Sequence, residues 1–217
     1  MELKGTLIWI CSLAVLSSTA ALDETLLKNC SLHTPLLERI SADLKEAVEC
    51  GGNLPSAWRA EQSAELLLSL RALTDFLHIH QLKDCQNFEP KNCPEAEVHQ
   101  NGGLVCVTAA NKRYCKPLCN FGYDFSFLRR SRLFDECSNE TGHKWVTQYI
   151  GGNRLAECIK TSSQISGAKS AYFPKDQDCL KTKSSSQLQN STIEDFITEL
   201  KNQGIQGEPQ YACLTCG

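Results

Sequence analysis

The chain has 217 residues, 22 Lys and Arg against 25 Asp and Glu, a net charge of −3 and 13 cysteines. A slightly acidic balance gives no basic footprint for nucleic acid, and so many cysteines argue against a reducing compartment. Those two facts set aside a nucleic-acid-binding protein and an ordinary cytosolic one as expected classes.

Met1 to Gly5 form a short polar stretch with one cation, Lys4, and an apolar run follows from Leu7 to Leu16. Small residues come next, and Ser18 with Ala20 fits a small-x-small cleavage site, so residues 1–20 read as a secretory signal peptide. The run is shorter than the roughly 20 residues that cross a bilayer, and no later stretch is more apolar. Glu208 to Gly217 has no hydrophobic tail for a lipid anchor. The expectation is a secreted, extracellular protein with no membrane span.

Cys11 leaves with the signal. Cys30, Cys50, Cys85, Cys93, Cys106, Cys115, Cys119, Cys137, Cys158, Cys179, Cys213 and Cys216 remain. An even set in a secreted chain implies disulfides throughout and no free thiol, each bridge contributing about 2–5 kcal/mol. Zinc is the competing use of such residues, but paired Cys-x-x-Cys knuckles are missing, so no metal or other cofactor is expected. Asn29, Asn139 and Asn190 each head an Asn-x-Ser/Thr glycosylation triplet, Asn29 with Cys30 as its middle residue.

The elements run in three segments beyond the signal. Residues 21–90 read as helical. Thr34-Pro35 is a start signal, Leu37, Ile40, Leu44 and Ala47 repeat at helical spacing, and Gly51-Gly52 stops the helix. A second helix begins near Ser56, with Leu66, Leu70, Leu73 and Leu77 on one face. Together they suggest an antiparallel hairpin that Cys30, Cys50 and Cys85 can staple. The leucine stripe is expected to be core, since an isolated hairpin must hide it, and the other reading is an exposed partner-binding face.

Residues 91–159 lose helical spacing. Asn101, Gly102-Gly103 and clustered cysteines read as turns between short strands such as Leu104 to Val107 and Trp145 to Tyr149. Cys106 and Cys115 are expected to close a hairpin across residues 108–112. Residues 160–217 are polar, with Ser184-Ser185-Ser186 read as loop. One short helix is expected from Ser191 or Thr192 to Asn202, its apolar side carrying Ile193, Phe196, Ile197 and Leu200 and its stop at Gly204.

In the middle segment Cys93-Pro94, then Cys119 shortly before Gly122-Tyr123, then Cys137, then Gly142-His143-Lys144-Trp145 and finally Cys158 follow one another. That order resembles a single divergent sushi, or complement control protein, module over about residues 92–159. The resemblance implies crossed bridges, Cys93–Cys137 and Cys119–Cys158, in a small β-module whose core is the two disulfides and Trp145. Departures from the family pattern are the extra Cys106 and Cys115, the wider Gly142–Trp145 spacing, and Ala156 where the family usually has proline.

Arg129, Arg130 and Arg132 lie within this stretch, with Lys112, Arg113 and Lys116 nearby in sequence. Guanidinium groups pair bidentately with sulfate oxygens, so the six form a candidate anion-binding site for a glycosaminoglycan. The terminal Cys213-Leu-Thr-Cys216 lacks the following helix a redox motif needs, and reads as two half-cystines, with Cys179 the nearest partner in sequence. No Gly-x-Ser-x-Gly, His-Glu-x-x-His or phosphate loop occurs.

The sequence therefore leads to an α+β, disulfide-stapled secreted glycoprotein and not to an enzyme. Its expected role is extracellular recognition of a protein or a sulfated polysaccharide, in innate immunity, adhesion or an extracellular coat. The alternative is a structural or matrix component without a specific ligand.

Overall fold

Leu36–Cys50 forms helix α1 in a computed structural model that describes residues 36–50, 59–146 and 152–217. The signal peptide, Asn29, Cys30, Thr34-Pro35, Gly51-Gly52 and Ser56 lie outside the described residues. The chain divides into two units, Met1–Ala60 and Glu61–Gly217. In the first, α1 has Ile40 and Leu44 half-buried and every other residue exposed, with Lys45 and Glu49 paired one turn apart.

The second unit begins in helix α2, Ala60–Leu82, built largely of the strong helix formers Ala, Leu, Glu and Gln. A 3-10 turn, Lys83–Cys85, ends it. A four-stranded antiparallel sheet follows, in the order β4-β2-β1-β6. Its strands are β1 (Gly102–Ala109), β2 (Lys112–Cys119), β4 (Asp135–Cys137) and β6 (Gln210–Cys216). A separate ribbon pairs β3 (Tyr123–Phe125) with β5 (Cys158–Lys160). Helix α3 (Cys179–Lys183) and helix α4 (Ser186–Asn202) precede β6.

Strand alternation explains why nearly every residue of β1 and β2 is buried. Leu104 and Cys106, with Cys115 and Cys213, face a cluster of Phe88, Trp145, Leu155 and the Cys93–Cys137 bridge. Val105 and Val107, with Tyr114, Leu118 and Leu214, face the opposite way onto Phe196 and Leu200 of α4. The sheet is thus a central layer with a disulfide-rich cluster on one side and a helix on the other. Gly103 sits where the layers meet most closely: a Cβ there would lie 2.3 Å from Cys179 Sγ and 2.7 Å from Thr215 O.

Five disulfides join described residues: Cys85–Cys213, Cys93–Cys137, Cys106–Cys115, Cys119–Cys158 and Cys179–Cys216. Two expectations change. Cys85 does not staple the helical segment to Cys30 or Cys50; it ties the end of α2 to β6. Cys50 is exposed and has no disulfide partner among the described residues.

Other differences have equally physical causes. Segments 91–159 and 160–217 share one sheet, because β6 supplies β1 with the ladder partner that its otherwise open edge needs. Ser185 is a helix cap and not loop, its hydroxyl accepting from the Leu188 amide, so α4 starts at Ser186. Trp145 and Val146 are not in a strand, and 147–149 lie outside the described residues. Trp145 is buried instead, its indole donating to Pro94 O at 2.9 Å. No residue of α2 is fully buried: of the stripe expected to be core, Leu70 and Leu73 are half-buried and Leu66 and Leu77 exposed.

The β3–β5 ribbon is latched to residues 165–172 by Asp124. That buried carboxylate accepts from the amides of Phe125, Ile165 and Ser166 and from the Tyr172 hydroxyl. Burial opposes its ionisation, but the Tyr172 hydroxyl and the Ile165 and Ser166 donors outweigh burial and hold its pKa below the ordinary carboxylate value. Burial and the bond to Asp124 push the Tyr172 phenol up to about 12. A depressed folded pKa means the contribution is complete above the unfolded value near ~4 and is lost as pH falls through the folded one. Thermal melts should show Asp124→Asn less stable than wild type at neutral pH, with the gap closing below about pH 4. An Asp124→Asn deficit that persists unchanged into strong acid would refute the latch.

Candidate functional site

The sequence points to six basic side chains, and the fold buries three of them, Arg113, Lys116 and Arg129. Arg129 is 4 % exposed, donates to Asp135 Oδ2 and Leu155 O at 2.9 Å each, and lies 5.7 Å from the Phe125 ring centre. Arg132 Nε lies 2.9 Å from the other oxygen of Asp135. Arg113 is buried over the Phe88 ring and donates to Tyr211 O, Thr108 Oγ1 and Cys213 Sγ. Burial pushes its guanidinium down to about 10, so it is charged at neutral pH. Lys112 pairs with Glu136 and Glu140, and Lys116 with Glu199. Arg130 is exposed, its Nε donating to Ile165 O.

The six therefore do not present one exposed basic patch, and Arg129 and Arg132 are spoken for by Asp135. A cation that already has a buried carboxylate partner gains little from a sulfate, and freeing it would leave that carboxylate uncompensated. Nothing in the local run distinguishes a solvated arginine from one that pairs inward. Only Asp135, a few residues on at the start of β4, supplied a hint.

Lys116 leads to a different feature. On β2 it shares the face of Tyr114 and Leu118, toward α4, so strand alternation carries its stem beneath the helix. There it meets Glu199 at 2.5 Å, and burial lowers its pKa against the pull of that carboxylate. The pair forms one wall of a cleft of about 520 Å³ between α4, the sheet and residues 170–177. Tyr172, Pro174 and Leu188 supply accessible apolar surface over a closed floor of Val105, Leu118, Phe173 and Phe196, while Ser191, Thr192 and Asp195 also come from α4. Its volume falls in the range of sites for small molecules, roughly 300–1,000 Å³. Sequence reasoning missed it, because its walls come from segments more than fifty residues apart.

A second cleft, of about 470 Å³, is lined by His99 with Glu97, Asn101, Arg154 and Glu157. His99 is buried and its pKa falls to about 4 through burial, so it is neutral, with Nε2 3.1 Å from Leu118 O. His99, Cys119 and Cys158 are close enough to hold a metal, but the two sulfurs are bonded to each other.

Compared with known proteins, the chain matches no family model, no curated protein and no solved structure. The site must be judged on its own geometry.

Exposed large apolar side chains gather on α2. Leu68 and Phe76 are each 64 % exposed and Ile79 61 %, and Leu66, Leu67 and Leu77 are exposed as well. These positions fall on several sides of the helix, while Leu70 and Leu73, between Leu66 and Leu77 on one stripe, are half-buried. The helix is held at its C-terminal end. There Gln81 donates to Cys216 O and accepts from the Cys216 amide, extending the β6 edge, and Cys85 bonds Cys213. No helix among the described residues is long and apolar enough to cross a membrane. Asn139 is exposed in the turn after β4, and Asn190 is exposed on α4.

Proposed function

We propose that this is a secreted extracellular binding protein in which a disulfide-stapled α+β head presents α2 as a recognition surface for another protein. One observation carries the reading: α2 exposes six large apolar side chains, Leu66, Leu67, Leu68, Phe76, Leu77 and Ile79, and none of its residues is buried. Such side chains ordinarily lie inside a protein, and each Å² of apolar area a partner covers is worth about 25 cal/mol. An anchored helix with free apolar sides suits a groove on a partner.

Secretion and glycosylation at Asn139 and Asn190 belong to the same proposal, supported by the disulfides and by the exposure of both asparagines. The sushi-like character of residues 92–159 is offered with it. The crossed pair Cys93–Cys137 and Cys119–Cys158 speaks for that resemblance, and β6, from outside the stretch, speaks against a free-standing module. The hairpin read over residues 21–90 also stands with the proposal, supported by the stripe spacing of α1. The internal pairing of Arg129 and Arg132 weighs against a sulfated polysaccharide as the ligand.

The test is expression of the full chain in a secreting cell, beside a Leu68→Glu/Phe76→Glu variant. Wild type should appear in the medium, glycosylated, and cross-link to a distinct extracellular protein. The variant should keep the same disulfide map and lose the cross-link. Retention inside the cell, or a secreted monomer that neither cross-links nor binds an apolar dye, overturns the reading.

A further inference from the structure

We infer that the cleft beneath α4 is a binding site for a small ligand that joins an ammonium group to a short apolar body. The cleft shares no residue with α2, so this does not depend on what α2 binds. Its ionisable lining of Lys, Asp and Glu is Lys116, Asp195 and Glu199. Lys116 and Glu199 neutralise each other at 2.5 Å, which leaves the Asp195 carboxylate as the excess charge. Asp195 makes no ion pair with any described residue and lies one helical turn before Glu199, on the same side of α4.

The three ligand classes differ sharply in what they would meet. An anion would have to strip Glu199 from a lysine that is 3 % exposed, and would add charge beside Asp195. A neutral apolar molecule would cover Tyr172, Pro174 and Leu188 but take water from Asp195 without replacing it. An ammonium group gives Asp195 a partner while its apolar body lies on those three side chains. Ser191 and Thr192, also on α4, add hydroxyl oxygens to the lining.

Titration calorimetry at neutral pH on the full chain, with n-octylammonium, octanoate and 1-octanol as probes, tests this. The n-octylammonium ion should bind at one saturable site, about fivefold or more tighter than octanol, and octanoate should not bind. Asp195→Asn, an exposed helix position that should not disturb folding, should reduce octylammonium to the octanol level. Leu188→Trp, which fills the cleft from α4, should abolish binding of every probe. Octanoate binding as tightly as octylammonium, or indifference to Asp195→Asn, overturns the ligand class and leaves the cleft as a site. If no probe binds wild type, or Leu188→Trp leaves binding intact, the site itself is overturned.

Discussion

Asp135→Ala should cost about 3–5 kcal/mol of folding stability, far more than loss of a surface ion pair. Asp135 is buried and meets Arg129 and Arg132 with its two oxygens. Removing it leaves the Arg129 guanidinium in a low-dielectric site with Leu155 O and the Phe125 ring as its remaining company. Urea unfolding of wild type and variant measures the loss. A second comparison isolates the cause: Arg129→Met/Asp135→Leu removes both charges and should recover most of the stability, because the penalty comes from the orphaned charge and not from the missing bond. A single-variant loss below about 1 kcal/mol would mean that water reaches Arg129. The same measurement bears on function, since it separates an arginine that holds the β4 corner in place from one that waits for a polyanion.

Removing the Cys85–Cys213 bridge by serine at both positions should cost about 5 kcal/mol, against about 2.5 kcal/mol for Cys106–Cys115. The two bridges close loops of very different length, with sequence separations of 128 and 9 residues. Chain entropy in the unfolded state grows with the logarithm of that length. Urea midpoints of the two double variants should therefore differ clearly. The long-range variant should also become open to proteolysis between Leu82 and Cys93, where the Gln81 bonds and the Asp84–Lys183 ion pair would then tether the end of α2. Equal losses from the two bridges would refute the entropic account. If α2 is the recognition surface, the variant without Cys85–Cys213 should bind its partner more weakly even where the head remains folded, because a loosely tethered helix pays more ordering entropy on binding.

Much of the local structure was legible in the residues themselves. Helical spacing marks α1, and Ile193, Phe196, Ile197 and Leu200 mark the inner side of α4, with Gly204 at φ +79° where that helix ends. The Cys106–Cys115 hairpin is equally local: Ala110 and Asn111 both take left-handed conformations and bring the two cysteines opposite each other. Such features depend on neighbours within one or two turns of chain, and periodicity reports them directly.

What lies across a strand or under a helix is a different kind of fact. Lys116 and Leu118 sit on the same face of β2, so alternation shows that both point one way but not what covers them. Only the docking of α4, eighty residues on, makes that face the wall of a cleft and gives Lys116 its Glu199. The basic run reads as a surface patch until Asp135 and Leu155 are seen to draw Arg129 inside. The leucines of α2 read as core until none of them is found fully buried. The amino-acid order determined the helices, the turns and the supply of cysteines, because those follow from short-range sterics and hydrogen bonding. Which charges are buried, which apolar side chains are left in water and which cysteines meet was decided by tertiary packing, because each depends on a partner that local sequence does not name.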